Sequence, residues 1–331
     1  MAMAFNVNDR RLIEGPTNDL MQIRPVKHGW AMDDLQRMKD NTWDEREVDL
    51  SEDAKQYATG MLSDGNLTAY KKALAFLSNL DGIQFNNLTM NIGRHITSPE
   101  ASMCVSRQAW EEAQHVLSYG QMIESIGFDP EEIYWMFEED PILAEKNRYI
   151  MSSSQILGKG FTPENFVKAV AANIALEGIY FYSGFLTFYV LERQGLMRGS
   201  AKMIKLIQRD EVGHLNFFVN MWHTLRQERP ELFTEQLMKD VMTIMTDAVE
   251  HERVWAKYII GEGVLGLTEV ITDDFMGVLG NKRLASMGLE QKYKVRDLVS
   301  WFDDASRVNG TDENSFETKV SAYATGALEW N

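Results

Sequence analysis

The chain has 331 residues and a formal net charge of −16, a length normal for one large helical domain that buries its core without staples. Such an acidic balance argues against a nucleic-acid or anionic-membrane surface, since both are polyanions. The single cysteine, Cys104, excludes an internal disulfide and a Cys-rich zinc site and suits a cytoplasmic setting. No apolar run reads as long enough to span a membrane, and the N-terminal MAMAFNVNDRRLIEG lacks the build of a secretory signal.

Residues 1–42 read as a poorly periodic N-terminal arm. In the TWDEREVDLSEDAKQY segment that follows, Ser51 is placed to cap a helix starting at Glu52. From Leu67 to about Ile96 the apolar residues Leu74, Phe76, Leu77, Leu80, Ile83 and Leu88 recur at helical spacing. Ser98-Pro99 resets the chain, because serine caps and proline is favoured in a first turn. A second long helix runs from there to about Ile126, and GFDPEE marks its end and a new start. A third is expected from about Pro163 to Gln194, capped by Thr162. A fourth runs from about Ser200 to Gln227 and stops before Pro230. Further helix is expected over 231–259 and roughly 267–300. No stretch shows sustained period-2 alternation, so the chain reads as all-α: a helical domain over 43–302 and a polar, flexible tail over 303–331.

Two Glu-x-x-His motifs stand out, Glu112–His115 and Glu211–His214. Residues three apart share a helix face, so each motif presents a carboxylate and an imidazole to one point. Glu111 lies beside the first motif, but its own i+3 partner is Gln114, which leaves 112/115 as the better pair. Two further acids, Asp81 in FLSNLDGIQF and Glu177 in NIALEGIYFYSGF, sit in apolar helical surroundings, where a charge is costly without a partner. Asp81 precedes Glu112 by 31 residues and Glu177 precedes Glu211 by 34, each one long helix, a turn and the return. One such motif alone is usually a solvated helix face; two, each preceded by a buried-type acid one hairpin away, describe one site. Four carboxylates and two histidines form the pattern of a ferritin-like helical bundle with a dinuclear metal centre in its core, and oxygen-rich ligation with imidazole suits iron or manganese. Tyr119 follows His115 by one turn on the same face. Phe181, Phe185 and Ile207 are candidates to enclose it, though each taken singly reads as ordinary core packing.

The segments EEAQHVLSY, NIALEGIYFY and LIQRDEVGHLNF resemble the metal-binding helices of the class I ribonucleotide reductase small subunit, in register from about Trp43 to the C-terminus. The family pattern of Asp, Glu-x-x-His-x-x-x-Tyr, Glu and Asp-Glu-x-x-His is matched at Asp81, Glu112, His115, Tyr119, Glu177, Asp210, Glu211 and His214. The resemblance implies a radical-generating beta subunit of ribonucleoside-diphosphate reductase. Its two iron ions, or a dimanganese or mixed centre, react with an oxidant and leave a one-electron hole on Tyr119. The hole then passes to a large catalytic subunit that reduces ribonucleotides. The resemblance further implies a relay through Trp43 and Asp210 towards His115, a tail tyrosine at Tyr323 with a functional glutamate at Glu317, a homodimer, and possible activation by a flavoprotein. The alternatives are a ferritin-like oxidase or oxygenase acting on its own substrate, a metal-storage protein, and a helical scaffold without enzymatic activity.

Overall fold

The computed structural model describes residues 6–17, 20–260 and 266–308, and among these there is no β-strand, only an isolated antiparallel bridge between Ile13 and Ile96. The all-α expectation holds. Four long stretches of helix make the centre. α3 (Asp64–Asn87) and α4 (Pro99–Ile126) form one hairpin; α7 (Pro163–Ala175) continued by α8 (Tyr182–Arg193) forms the other with α9 (Arg198–Glu228). The two hairpins pack together through α3 on α8 and α4 on α9. Around them lie α1 (Gly29–Asp40) and α2 (Ser51–Ala58) against α4 and α9. α5 (Pro130–Glu139) and α6 (Pro141–Ser154) lie against α3, and α10 (Glu235–Ile260) against α7. α11 (Glu269–Ser286) packs on α10, and the short α12 (Trp301–Ala305) on α8.

The local signals that start α4 and α7 act as expected. Ser98 accepts the Ala101 amide at 3.3 Å with Pro99 in the first turn, and Thr162 accepts the Asn165 amide at 3.1 Å with Pro163 likewise. α4 ends at Gly127, whose φ of 91° needs a residue without a Cβ.

Other expectations are corrected. Ser51 does not cap α2: it is the first helical residue, and its amide is taken by Asp49 at 2.9 Å. The segment 1–42 is more than an arm, since α1 buries Ala31, Asp34 and Met38. Helix does not continue to 300 but stops at Ser286. The helix expected over 163–194 is broken by a π turn at Leu176–Tyr180, and α3 likewise runs into a π turn at Leu88–Ile92. Finally, Pro163–Arg193 is apolar and long enough by length and composition to cross a membrane. From Ala169 to Leu191 every residue is buried inside the bundle, so the helix has no polar face to reveal it as soluble core.

Candidate metal centre

Asp81 comes from α3, Glu112 and His115 from α4, Glu177 from the π turn, and Glu211 and His214 from α9. All six are fully buried. They form two groups, each able to hold a metal ion: Asp81, Glu112, His115 and Glu211, and Glu112, Glu177, Glu211 and His214. Glu112 and Glu211 belong to both, so the groups adjoin. His115 Nδ1 lies 3.1 Å from Glu211, 3.5 Å from Asp81 and 3.8 Å from Glu112. His214 Nδ1 lies 2.7 Å from Glu211, 3.3 Å from Glu112 and 3.8 Å from Glu177.

A buried cluster this rich in acids fits a cation. Both oxygens of Asp81, one each of Glu112, Glu177 and Glu211, and Nδ1 of His115 have no hydrogen-bond partner, an arrangement that is costly unless a ligand completes it. Burial first, and then the charge of Glu211, push the carboxyls of Glu112 and Glu177 above the ordinary range. Burial does the same to Asp81. Burial alone would raise Glu211 too, but His214 and His115 overcome it and hold that group low. Burial would lower both imidazoles; the surrounding carboxylates, Glu211 foremost, raise them instead. Without metal the site therefore keeps protons that a cation would displace.

The far side of each imidazole meets a second carboxylate. His115 Nε2 lies 3.3 Å from Asp210 Oδ2, and His214 Nε2 lies 3.0 Å from Glu111 Oε2. A carboxylate accepts, so each Nε2 keeps its proton and each Nδ1 is left to the cluster. Glu111 thus has a place that sequence spacing had denied it: it orients His214 and is itself held by Arg107 Nε at 3.0 Å. Gln108 donates to Glu112 at 3.1 Å and to Glu177 at 2.8 Å, and Gln84 also donates to Glu177. These glutamines were not singled out from sequence. Their positions, four before Glu112 and three after Asp81, are the available signal.

Trp43 lies just after α1, buried, and its indole N–H donates to Asp210 Oδ2 at 2.6 Å. Its ring is nearly parallel to that of His115, centroids 6.3 Å apart at 22°. Tyr119 is fully buried on α4, and its hydroxyl has no hydrogen-bond partner. Burial, then the charge of Asp81, push its pKa well above the ordinary tyrosine value. Phe181, Phe185 and Ile207 are fully buried as well, the two phenylalanine rings stacked at 5.7 Å. Glu317 and Tyr323 lie outside the described residues.

The sequence profile described as "Ribonucleotide reductase, small chain" matches residues 20–299. The beta subunit of ribonucleoside-diphosphate reductase from Treponema pallidum is 34% identical over 97% of this chain and 92% of its own length. The Chlamydia pneumoniae beta subunit is 31% identical over 98% and 96%. A solved R2 subunit from Clostridium botulinum superposes with a TM-score of 0.86 at 35% identity, over 92% of this chain and 98% of that one. The dimanganese(II)-NrdF of Streptococcus sanguinis, 19% identical, shares the fold with a TM-score of 0.76 over 88% of this chain and 100% of that one. These likenesses select the reductase reading over the oxidase, storage and scaffold alternatives: the chain belongs to the ribonucleotide reductase small-chain family, the beta subunits of ribonucleoside-diphosphate reductase.

Proposed function

We propose that the chain generates and stores a radical for its large catalytic subunit, with two metal ions held by Asp81, Glu112, His115, Glu177, Glu211 and His214. The observation that carries this reading is Asp210, whose single oxygen Oδ2 faces both the Trp43 indole N–H and His115 Nε2. A metal-facing imidazole and an aromatic ring outside the cluster are thereby joined through one carboxylate. A buried cluster of acids and imidazoles serving storage alone has no need of that link.

When bound, the metal pair supplies one-electron oxidising power. The protein's own groups decide where the hole goes. Tyr119 is the proposed resting place: burial keeps solvent from its ring, and its unpartnered hydroxyl sits under the influence of Asp81. Trp43 and Asp210 are the proposed exit, Asp210 holding the indole proton on one side and the imidazole proton on the other. Glu317 and Tyr323, in the C-terminal segment KVSAYATGALEWN and the residues before it, are proposed to carry the hole across to the large subunit. Support for those two is the resemblance of the segment alone.

Iron is the proposed metal; dimanganese and mixed centres use the same oxygen and imidazole donors, and a protein of the same fold is a dimanganese form. A homodimer and activation by a flavoprotein complete the proposal by family resemblance, and the single cysteine suits a cytoplasmic setting. The test is metal analysis with electron paramagnetic resonance on protein matured in cells. Two metals per chain and a tyrosyl signal are expected, and fewer than two metals in His115→Ala and His214→Ala. Full occupancy in both histidine variants would remove the dinuclear assignment.

A further inference from the structure

The backbone that carries Glu177 leaves the α-helical path at Leu176–Tyr180. A π turn widens a helix by one residue; such turns are rare and concentrate at functional sites. Here the turn is matched to one side chain from another helix. A Cβ on Gly178 would lie 2.8 Å from Arg283 Nε and 2.9 Å from its Cδ. In the space that glycine leaves, Arg283 reaches over from α11 and donates its Nε–H to the Gly178 carbonyl at 2.9 Å. Its guanidinium carbon lies 5.0 Å from the centroid of Tyr182, the residue at which regular helix resumes. One side chain therefore grips the neighbour of Glu177 and the far end of the turn. Arg283 is 5% exposed, and a buried guanidinium is costly unless its donors are used.

From these contacts we infer that Arg283 is a positioning residue for the metal centre. It fixes the π turn and, through Gly178, sets the place of the Glu177 carboxylate. That carboxylate is steadied separately by Gln84 from α3 and Gln108 from α4. The inference rests on Glu177 being a ligand, as proposed above. It also has a one-sided consequence. Glu177 belongs to the group with His214 and not to the group with His115, so loss of Arg283 weakens one metal position and spares the other. A merely structural role for Arg283 would not discriminate between them.

The experiment titrates the purified, metal-free full chain with Mn(II), following free ion by electron paramagnetic resonance, with circular dichroism and thermal unfolding alongside. In Arg283→Met, helicity is retained, one ion binds as in the unaltered protein and the other binds about 10–100-fold more weakly, the range for lost support around metal ligands. Gly178→Ala displaces Arg283 without removing it and gives the same pattern. Arg283→Lys, which keeps one donor for the same carbonyl, recovers part of the affinity and carries the test should the methionine variant not fold. Two unaltered sites in Arg283→Met and Gly178→Ala would overturn the inference, as would equal loss at both sites in step with lost helicity. Glu177→Ala separates the two ideas. If it binds two ions normally, the ligand assignment itself fails. If it loses one site while Arg283→Met loses none, only the positioning role falls.

Discussion

Tyr119 and its neighbours on α4 show how much a single position carries. The Tyr119 hydroxyl is a buried polar atom with no partner to lose, so replacing it by hydrogen removes a desolvated group and leaves the ring. Tyr119→Phe is therefore expected to keep both metals and to melt no lower than the unaltered protein, while losing the tyrosyl resonance and nucleotide reduction. Differential scanning calorimetry, metal analysis and electron paramagnetic resonance on one preparation check all parts. Reduction that persists without the tyrosyl signal would place the oxidising equivalent on the metals instead. His115 and His214 differ from Tyr119 in kind, because each turns Nδ1 to the carboxylate cluster and has Nε2 against a carboxylate outside it, Asp210 or Glu111.

At the level of helices, what was legible from sequence follows the reach of each interaction. Ser98 and Thr162 were readable as caps because their partners lie three residues on. The two Glu-x-x-His pairs were readable for the same reason. The start of α9, which carries one of those pairs, was placed near Ser200, close to the observed Arg198, but what caps it was not readable. Its own preceding residue, Met197, offers no cap. Instead Asp53, from α2, accepts the amides of Gly199 at 3.0 Å and Ser200 at 2.6 Å and the Ser200 hydroxyl at 2.6 Å. No local pattern announces a partner 147 positions away. Asp53→Ala is expected to cost about 1–3 kcal/mol, the range for stranding buried donors, read as a lowered midpoint in urea. An unchanged midpoint would mean that α9 starts without this cap. The π turn at Glu177 was hidden for a different reason: one inserted residue shifts helical phase without changing composition, and here every face is apolar. α1 was hidden because its buried residues, Ala31, Asp34 and Met38, are few and one is an acid. Glu111, Gln84 and Gln108 each reach a residue of another hairpin, His214 or Glu177, so these roles appear only once the hairpins are packed.

At the scale of the whole molecule, the chain works beside a large subunit, and the residues proposed to reach it lie at the C-terminal end. Ala327, Leu328 and Trp330 are apolar in a polar segment, the composition of an anchor for a partner groove, where buried aromatics contribute disproportionately. Tyr323 precedes them by a few residues. Two alterations are expected to fail differently. Deleting 325–331 weakens binding to the large subunit and leaves metals and tyrosyl signal intact. Tyr323→Phe binds nearly normally but stops turnover, because phenylalanine is much harder to oxidise. Direct binding and nucleotide reduction with saturating large subunit distinguish them, and normal turnover in Tyr323→Phe would end the conduit proposal.

The sharing of Glu112 and Glu211 between both metal groups has a bearing on how the protein is made. Chains emerge from the ribosome N-terminus first, at about 5–20 residues per second. When α3 and α4 have been synthesised, Asp81, Glu112 and His115 exist, yet neither group is complete, because each needs Glu211. The nascent first hairpin is thus an acidic half-site without its counterpart. Only when α9 has left the exit tunnel and folded back can either position close, and then both close together. With the proposed ligands, metallation is therefore expected to come late in synthesis, since a chain arrested before residue 211 lacks the Glu211 that both groups share.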